Sequence, residues 1–320
     1  MRVVETGPFH EGEQALQQRA GAYERLAEIG PQIIRDHMPD QHRHFFVQLP
    51  MLLAGSIDAQ GQPWASVLAG PPGFMESPDP QQLVVNALPL PGDPLQRGLA
   101  PGMQIGLLGI EPHTRRRNRM NGVVARVDEA GFAVRVTQSF GNCPKYIQAR
   151  RPQFAAGRAT QAALQEGPQL DDEAIRMIRS ADTFYIATAH PLAAHSKAAG
   201  QGVDVSHRGG KPGFVRVDGT GTLTVPDFLG NFFFNTLGNI ALNPRAGLLF
   251  IDFDNGDLLY LAVRAAIVLD GREVQAFAGA QRLLRFEVTA MRRVRAALAL
   301  RWSEAELSPQ LLKTGTWDAV

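Results

Sequence analysis

The tripeptide Pro72-Gly73-Phe74 returns 140 residues later as Pro212-Gly213-Phe214, and its surroundings return with it. At the same offset Ser66 falls on Ser206 and Gly70 on Gly210. Close to that offset "GDPLQRGL" (92–99) falls on "GNFFFNTL" (230–237), and "GLLGI" (106–110) on "GLLFI" (247–251). The matched pieces keep their order, which is the signature of an internal duplication. A chain of 320 residues has room for two ordinary domains, each with its own core. Two copies of roughly 100 residues are therefore expected to pack as a pseudo-dimer, the intrachain counterpart of a two-fold interface.

Within each copy the apolar pattern is that of strands. From about 50 to 137, runs such as "MLLAGSI", "PWASVLAG", "MQIGLLGI" and "GFAVRV" alternate with turn chemistry, and after 181 the same texture resumes in "TFYIATA", "VDVSHRG", "AGLLFIDF" and "LRFEVTAM". Helical spacing is confined to the flanks. Leu16, Ala20, Tyr23, Leu26 and Ile29 predict one amphipathic helix ending at Gly30-Pro31, and "PQIIRDHM" a second, ending before Pro39. "IQARRPQFAAGRATQAAL" (147–164) and "LDDEAIRMIRSA" (170–181) also read as helices, the latter capped by Asp171 or Asp172. The expected organisation is an N-terminal helical segment (1–44), a first barrel repeat (45–150), a helical connector (151–180), a second repeat (181–290) and a C-terminal extension (291–320).

Charge narrows the choice of partner. Thirty-two basic against 31 acidic residues leave no electrostatic footprint for a general nucleic-acid binder, so a small molecule is expected. The single cysteine, Cys143, excludes an internal disulfide framework and fits a reducing compartment. The first residues lack a basic stretch followed by an apolar core, and "LLYLAVRAAIVL" contains Arg264 and is too short to span a bilayer. The expectation is a cytoplasmic protein with no membrane partner.

The copies differ where chemistry is to be sought. Against Val67, Leu68 and Pro71 the second copy has His207, Arg208 and Lys211, beside Ser206. Cations that one copy can replace by apolar residues are not needed to build a barrel. Arginine's planar fork, lysine's point charge and a serine hydroxyl together suit a phosphate, although charge on a solvated hairpin edge is the alternative. Downstream, Pro226, Asp227, Gly230 and Asn231 predict a strand-to-helix turn, and a helix over about 231–242 would offer unpaired N–H groups to an anion. Thr236 and Asn239 lie on one face of that helix, and the run Phe232-Phe233-Phe234 reads as core.

These stretches, "SHRGGKPGFVRV", "LTVPDFLGN" and "NPRAGLLFIDF", resemble the pyridoxamine 5′-phosphate oxidase-like, FMN-binding split-barrel family. "PWASVLAGPPGFM", "RRRNRMNGVVARV" and "SFGNCPKYIQAR" are similar to a two-repeat subgroup, some of whose members are joined to ferredoxin-reductase-like and iron–sulfur modules. The resemblance covers roughly residues 10–315 and implies a mainly β (α+β) fold of tandem antiparallel split β-barrels forming a pseudo-dimer with flanking helices. It implies FMN between the repeats, with Ser206, His207, Arg208 and Lys211 on the strand that grips the phosphate and Pro226, Asn231 and Thr236 completing the pocket. The first repeat would add the other wall: Trp64 over a flavin edge, Ser66, and Arg116 among the cations of "HTRRRNRMNG". Many relatives carry an arginine just after the Gly-Asn pair, where this chain has Phe232-Phe233. The expected activity is an FMN-dependent oxidoreductase, which needs no acid–base triad because the flavin carries the redox chemistry. Its partner would be a small-molecule substrate or an electron donor, a separate flavin or ferredoxin reductase among the candidates, and further association into a homodimer of pseudo-dimers stays open. The competing readings are a non-catalytic flavin- or nucleotide-binding protein and a thiol hydrolase using Cys143; a metal at His37, His42 and His44 has no supporting ligand geometry.

Overall fold

A computed structural model describes residues 7–155 and 163–319. The first repeat comprises β1 (Met51–Ile57), β2 (Pro63–Ala69), β3 (Met75–Glu76), β4 (Gln82–Val85), β5 (Gln104–Glu111), β6 (Arg116–Val127) and β7 (Phe132–Gly141). Two short strands, β8 (Pro152–Phe154) and β9 (Leu164–Gly167), follow. The second repeat comprises β10 (Thr183–Ala189), β11 (Val203–Gly209), β12 (Arg216–Asp218), β13 (Thr222–Phe228), β14 (Arg245–Ile251), β15 (Leu258–Val268) and β16 (Ala280–Val294), and β17 (Leu300–Trp302) returns to pair with β8.

The duplication is exact in topology. The first sheet runs β2-β1-β5-β6-β7-β4-β3 and the second β11-β10-β14-β15-β16-β13-β12, all antiparallel, so each strand has its counterpart in the same place. In neither sheet does the last strand of the path close on the first, which leaves two split barrels. Each has an interior of its own: Leu52, Leu68, Leu107 and Val134 in the first, Phe184, Leu248, Leu261 and Phe286 in the second. A third core lies between them, where Leu53, Val67 and Leu108 meet Tyr185, Val205 and Leu249. Because successive strand residues point to opposite faces, one sheet fills its own barrel with one set and the interface with the other.

Glycine sets the distance between the barrels. A Cβ on Gly106 would lie 2.4 Å from the Val203 carbonyl oxygen, and one on its counterpart Gly247 would lie 2.3 Å from that of Pro63. Backbone meets backbone at two related points, as a two-fold axis requires.

The flanking helices are α1 (Glu11–Arg19), α2 (Tyr23–Ile33), α3 (Asp40–Val47), α4 (Asp172–Ser180), α5 (Asn235–Leu242) and α6 (Arg272–Ala276). Three sequence expectations change here. The first helix breaks at Gly21, whose φ of 63° is left-handed, and not at Gly30-Pro31, which lies inside α2. Pro31 costs the helix only one donor in its last turn, and Gly30 serves close packing, since a Cβ there would meet the Phe9 ring at 2.6 Å. Helix α3 starts after Pro39, where no helix is expected from the sequence. The helix expected over 147–164 is replaced, in its described part, by β8 and β9, which find edges to pair with on β17 and β16; 156–162 lie outside the described residues. Helix α4 forms as expected, with Asp171 capping the amide of Ala174 at 2.8 Å.

Candidate functional site

Strand β11 decides what each member of "VDVSHRG" can do. Ser206 and Arg208 stand opposite Ile186 and Phe184 and share one face with Asp204, while His207 shares the other with Val205, against the inter-barrel core. The His207 ring sits edge-on to Tyr185 at 5.8 Å. Burial, with Arg117, Arg208 and Arg150 nearby, holds it well below the usual histidine range. It is neutral, so it adds no positive charge.

On the Ser206 face a cavity of about 120 Å³ opens between the barrels. Its walls are Arg117 and Arg119 of β6, Cys143, Lys145 and Tyr146 after β7, Ser206 to Gly209 of β11, Pro226 to Phe228 of β13, the loop 229–234, the start of α5, and Arg282 of β16. The site is therefore composite. Of the residues singled out in the sequence, it gathers Ser206, His207, Arg208, Pro226, Asn231 and Thr236.

The others are elsewhere. The Lys211 ammonium donates to the Thr314 carbonyl at 2.6 Å, because the turn after Gly210 carries it to the C-terminal segment. Trp64 donates through Nε1 to Asp58 at 2.9 Å. Ser66 is fully buried and donates to Asp93 at 2.5 Å. Arg116 is exposed, with its guanidinium over Phe45 at 4.9 Å, because strand alternation sends it to the opposite face of β6 from Arg117 and Arg119. Helix α5 begins at Asn235, four residues later than expected, so Asn231 belongs to the loop before it.

Positive charge dominates this wall. Arg117, Arg119, Lys145, Arg208 and Arg282 face one lining carboxylate, Asp227, which binds Arg208 at 2.8 Å and Arg282 at 3.7 Å. Asp204, behind the wall, takes Arg119 at 2.9 Å, and Arg119 also donates to Ser206, which meets Thr236 at 2.9 Å. Arg117 donates to the Cys143 carbonyl at 2.7 Å. Among the described residues neither it nor Lys145 has a carboxylate within 4.0 Å. Burial, together with Arg119 and Arg208, lowers the Arg117 pKa to about 10, which leaves it charged at neutral pH.

Three buried donors of this lining, Arg119 Nε, Arg208 Nε and Asn142 Nδ2, lack any acceptor among the described residues. All are N–H groups, and native interiors rarely leave such groups unpaired. No arginine directly follows Gly230-Asn231; Arg282 of β16 also lines the cavity and lies over the Phe234 ring at 5.1 Å.

The rest of the wall is aromatic and bent. Tyr146 and Phe228 pack at 5.0 Å. Tyr146, Phe232 and Phe234 have φ of 64°, 65° and 62°, a conformation that costs a bulky L-residue roughly 1–2 kcal/mol. Such strain collects at sites where the surrounding structure over-determines the backbone.

A second group of ligand-type atoms lies outside the cavity. His10, Glu11 and His190 bring theirs within 4.8 Å of one another. However, Nδ1 of His10 accepts the Gly12 amide at 3.2 Å and Nδ1 of His190 the Leu192 amide at 3.1 Å. A neutral imidazole accepting at Nδ1 carries its proton on Nε2, the atom a metal would need. His190 Nε2 donates to Glu11 at 3.2 Å, while the buried His10 Nε2 has no hydrogen-bond partner among the described residues. Of the histidines in "HMPDQHRH", His37 bonds Asp36 at the surface, while His42 is buried and bonds Ser139 at 2.9 Å.

No protein-family model matches the chain, and no curated protein matches its sequence. Solved structures do. A candidate pyridoxamine 5′-phosphate oxidase from Lactobacillus delbrueckii is 12% identical, with 39% of this chain and 94% of that one covered at a TM-score of 0.31. HupZ of Group A Streptococcus is 14% identical, with coverage of 37% and 89% and a TM-score of 0.29. HutZ, the heme storage protein of Vibrio cholerae, is 12% identical, with coverage of 44% and 99% and a TM-score of 0.25. No helix among the described residues is long and apolar enough to cross a membrane.

Proposed function

We propose that this chain is a flavoprotein of the pyridoxamine 5′-phosphate oxidase-like kind that binds one FMN between its two barrels and acts as an oxidoreductase. The observation that carries this reading is the cavity's excess of donors. Among the described residues Arg117 and Lys145 lack carboxylate partners, and three buried N–H groups lack acceptors. A phosphate monoester supplies negative charge and several acceptor oxygens at once.

Size favours one end of the ligand for the enclosed space. About 120 Å³ is well under the ~300–1,000 Å³ of a typical small-molecule pocket, so the enclosed space suits the phosphate end. The planar ring would extend past it, and Tyr146 and Phe228 offer aromatic surface for that ring. Arg117, Arg119, Arg208, Ser206 and Thr236 are the residues that would hold the phosphate. The flavin, when bound, supplies the electron-transfer chemistry; the chain binds it, orients it and limits water around it.

The test is a comparison of FMN with riboflavin, which has the same ring and no phosphate. FMN retained after desalting at one per chain, with riboflavin held at least a hundredfold more weakly, supports the reading. Equal affinity for the two, or a chain that rejects both and takes up hemin, overturns it. Turnover of a nicotinamide-reduced flavin with an acceptor then separates an oxidoreductase from a flavin-binding partner protein.

A further inference from the structure

The loop that closes the cavity is held from behind. Phe232 and Phe234 both lie in the left-handed region, and Phe234 leads into α5 with no side-chain cap. Within the loop Asn231 Oδ1 accepts the Phe233 amide at 3.1 Å, but that bond does not reach Phe234 or the start of α5, whose support is to be sought outside the loop.

That support is α1. Gln17 Nε2 donates to the Phe233 carbonyl at 3.3 Å. Asn235 Nδ2 donates to Glu13 Oε1, and the other oxygen of Glu13 accepts the His10 amide at 2.8 Å. The Phe233 ring turns away from the cavity to meet Phe9 at 5.5 Å and Phe140 at 5.9 Å, in a cluster that includes Leu26 of α2. Helices α1 and α5 touch so closely that a Cβ on Gly12 would lie 2.4 Å from the Gly238 carbonyl oxygen. Glu13 and Gln17 are both almost fully buried. Their bonds end on residues 233 and 235, next to Thr236, which bonds Ser206 in the cavity wall.

We infer that Glu13 and Gln17 are positioning residues of the ligand site, fixing the 231–235 loop from outside the barrel; the inference rests on the flavin reading only for what the cavity holds. Neither residue lines the cavity; Gln17 can act on a ligand only through the loop, whereas Glu13 also lies within electrostatic reach of Arg119, so Gln17→Met isolates the loop's part.

The experiment has a ligand-free arm and a ligand arm. Amide hydrogen exchange is followed in the whole, unliganded chain for the parent, Gln17→Met, which keeps the shape and removes the donor, and Glu13→Ala. Exchange at 231–237 is expected to rise at least tenfold in both variants, while β14 (245–251) keeps its protection. Unchanged exchange in the loop, or a uniform rise across the second barrel, overturns the inference. In the ligand arm, FMN is expected to leave the variants about ten times faster at a nearly unchanged association rate, with an altered visible circular dichroism of the bound flavin. A loosened loop with parental FMN kinetics overturns the link to the site. A parent that binds no FMN sinks the flavin reading alone, and the exchange arm still decides the role of α1.

Discussion

The pseudo-two-fold axis gives two corresponding places between the barrels; one opens into a cavity and the other is filled by its own side chains. In the second repeat Ser206 faces Arg119, which reaches across from the first barrel. In the first repeat Ser66 sits at the matching place, and the residue reaching across is Tyr260. Arg119 pairs with Leu108 and Tyr260 with Leu249, at corresponding positions of "GLLGI" and "GLLFI", so the arginine and the tyrosine are true counterparts. Between Ser66 and Tyr260 lies Asp93, which takes Ser66 Oγ at 2.5 Å, Tyr260 Oη at 2.9 Å, and the amides of Leu95 and Val67 at 2.8 and 3.4 Å. The first cleft has its anion built in. The second is lined with donors, three of them buried and without an acceptor among the described residues.

The loops differ to match. Residues 94–97 form a single 3-10 turn capped by Asp93, whereas the second copy builds α5 and its strained aromatic approach. A backbone satisfied by its own side chain needs no outside support, and the loop with left-handed phenylalanines is the one that α1 braces.

Removing the internal anion should have the largest effect. Asp93→Ala leaves Ser66, Tyr260 and two amides without their acceptor, and a loss of about 3 kcal/mol or more is expected from urea unfolding. The FMN stoichiometry should stay at one per chain; a second bound equivalent would show that Asp93 alone closes the first cleft. Next comes pH. Burial raises the Asp93 pKa from 3.8 to about 6, against the pull of its Ser66, Leu95 and Tyr260 hydrogen bonds. The native carboxyl thus holds its proton more tightly than the unfolded one. Its contribution is fully present below about pH 3.8 and is lost as pH rises through about 6. Relative to Asp93→Asn, the parent should lose on the order of 2–3 kcal/mol across that window, read from paired unfolding curves at pH 4, 5 and 6.5; a constant difference would refute the assignment.

On the open side, Arg117→Met should weaken FMN by roughly 10- to 100-fold, the worth of one charge-assisted hydrogen bond, with little change in melting temperature. Arg208→Ala should also weaken it, by less, because Asp227 keeps Arg282 as a partner. The smallest effect is expected of Arg116→Ala, within about twofold of the parent, since its guanidinium lies on the other face of β6. Isothermal titration of these variants side by side orders them, and a loss at Arg116 equal to that at Arg208 would remove the distinction between the two faces.

The barrels were legible because duplication leaves an ordered, fixed-offset trace that survives any doubt about individual strands. Half of the site was legible for a local reason: Ser206, Arg208, Asn231 and Thr236 sit in short stretches whose chemistry is visible in a line. The cations of β6 were visible as a run but not as a face. Arg117 and Arg119 separate from Arg116 only once the strand's register is known. Arg282 had no motif around it and reaches the cavity through the pairing of β13 with β16. Ser66 matches Ser206 by position and Trp64 entered through the family resemblance; the structure shows where the symmetry stops, since copying a position does not copy its partner, and Tyr260 stands where the counterpart is Arg119. Gly30-Pro31 misled because its glycine answers to a neighbouring phenylalanine and not to a turn.

The close approach of Gly106 and Gly247 to the facing backbones fastens two halves that belong to one chain. When two identical subunits share such an interface, every substitution is written twice, and neither cleft can change without the other. Here the copies inherit separately. One half can therefore be riveted by a carboxylate and a phenol while the other is lined with arginines around a cavity.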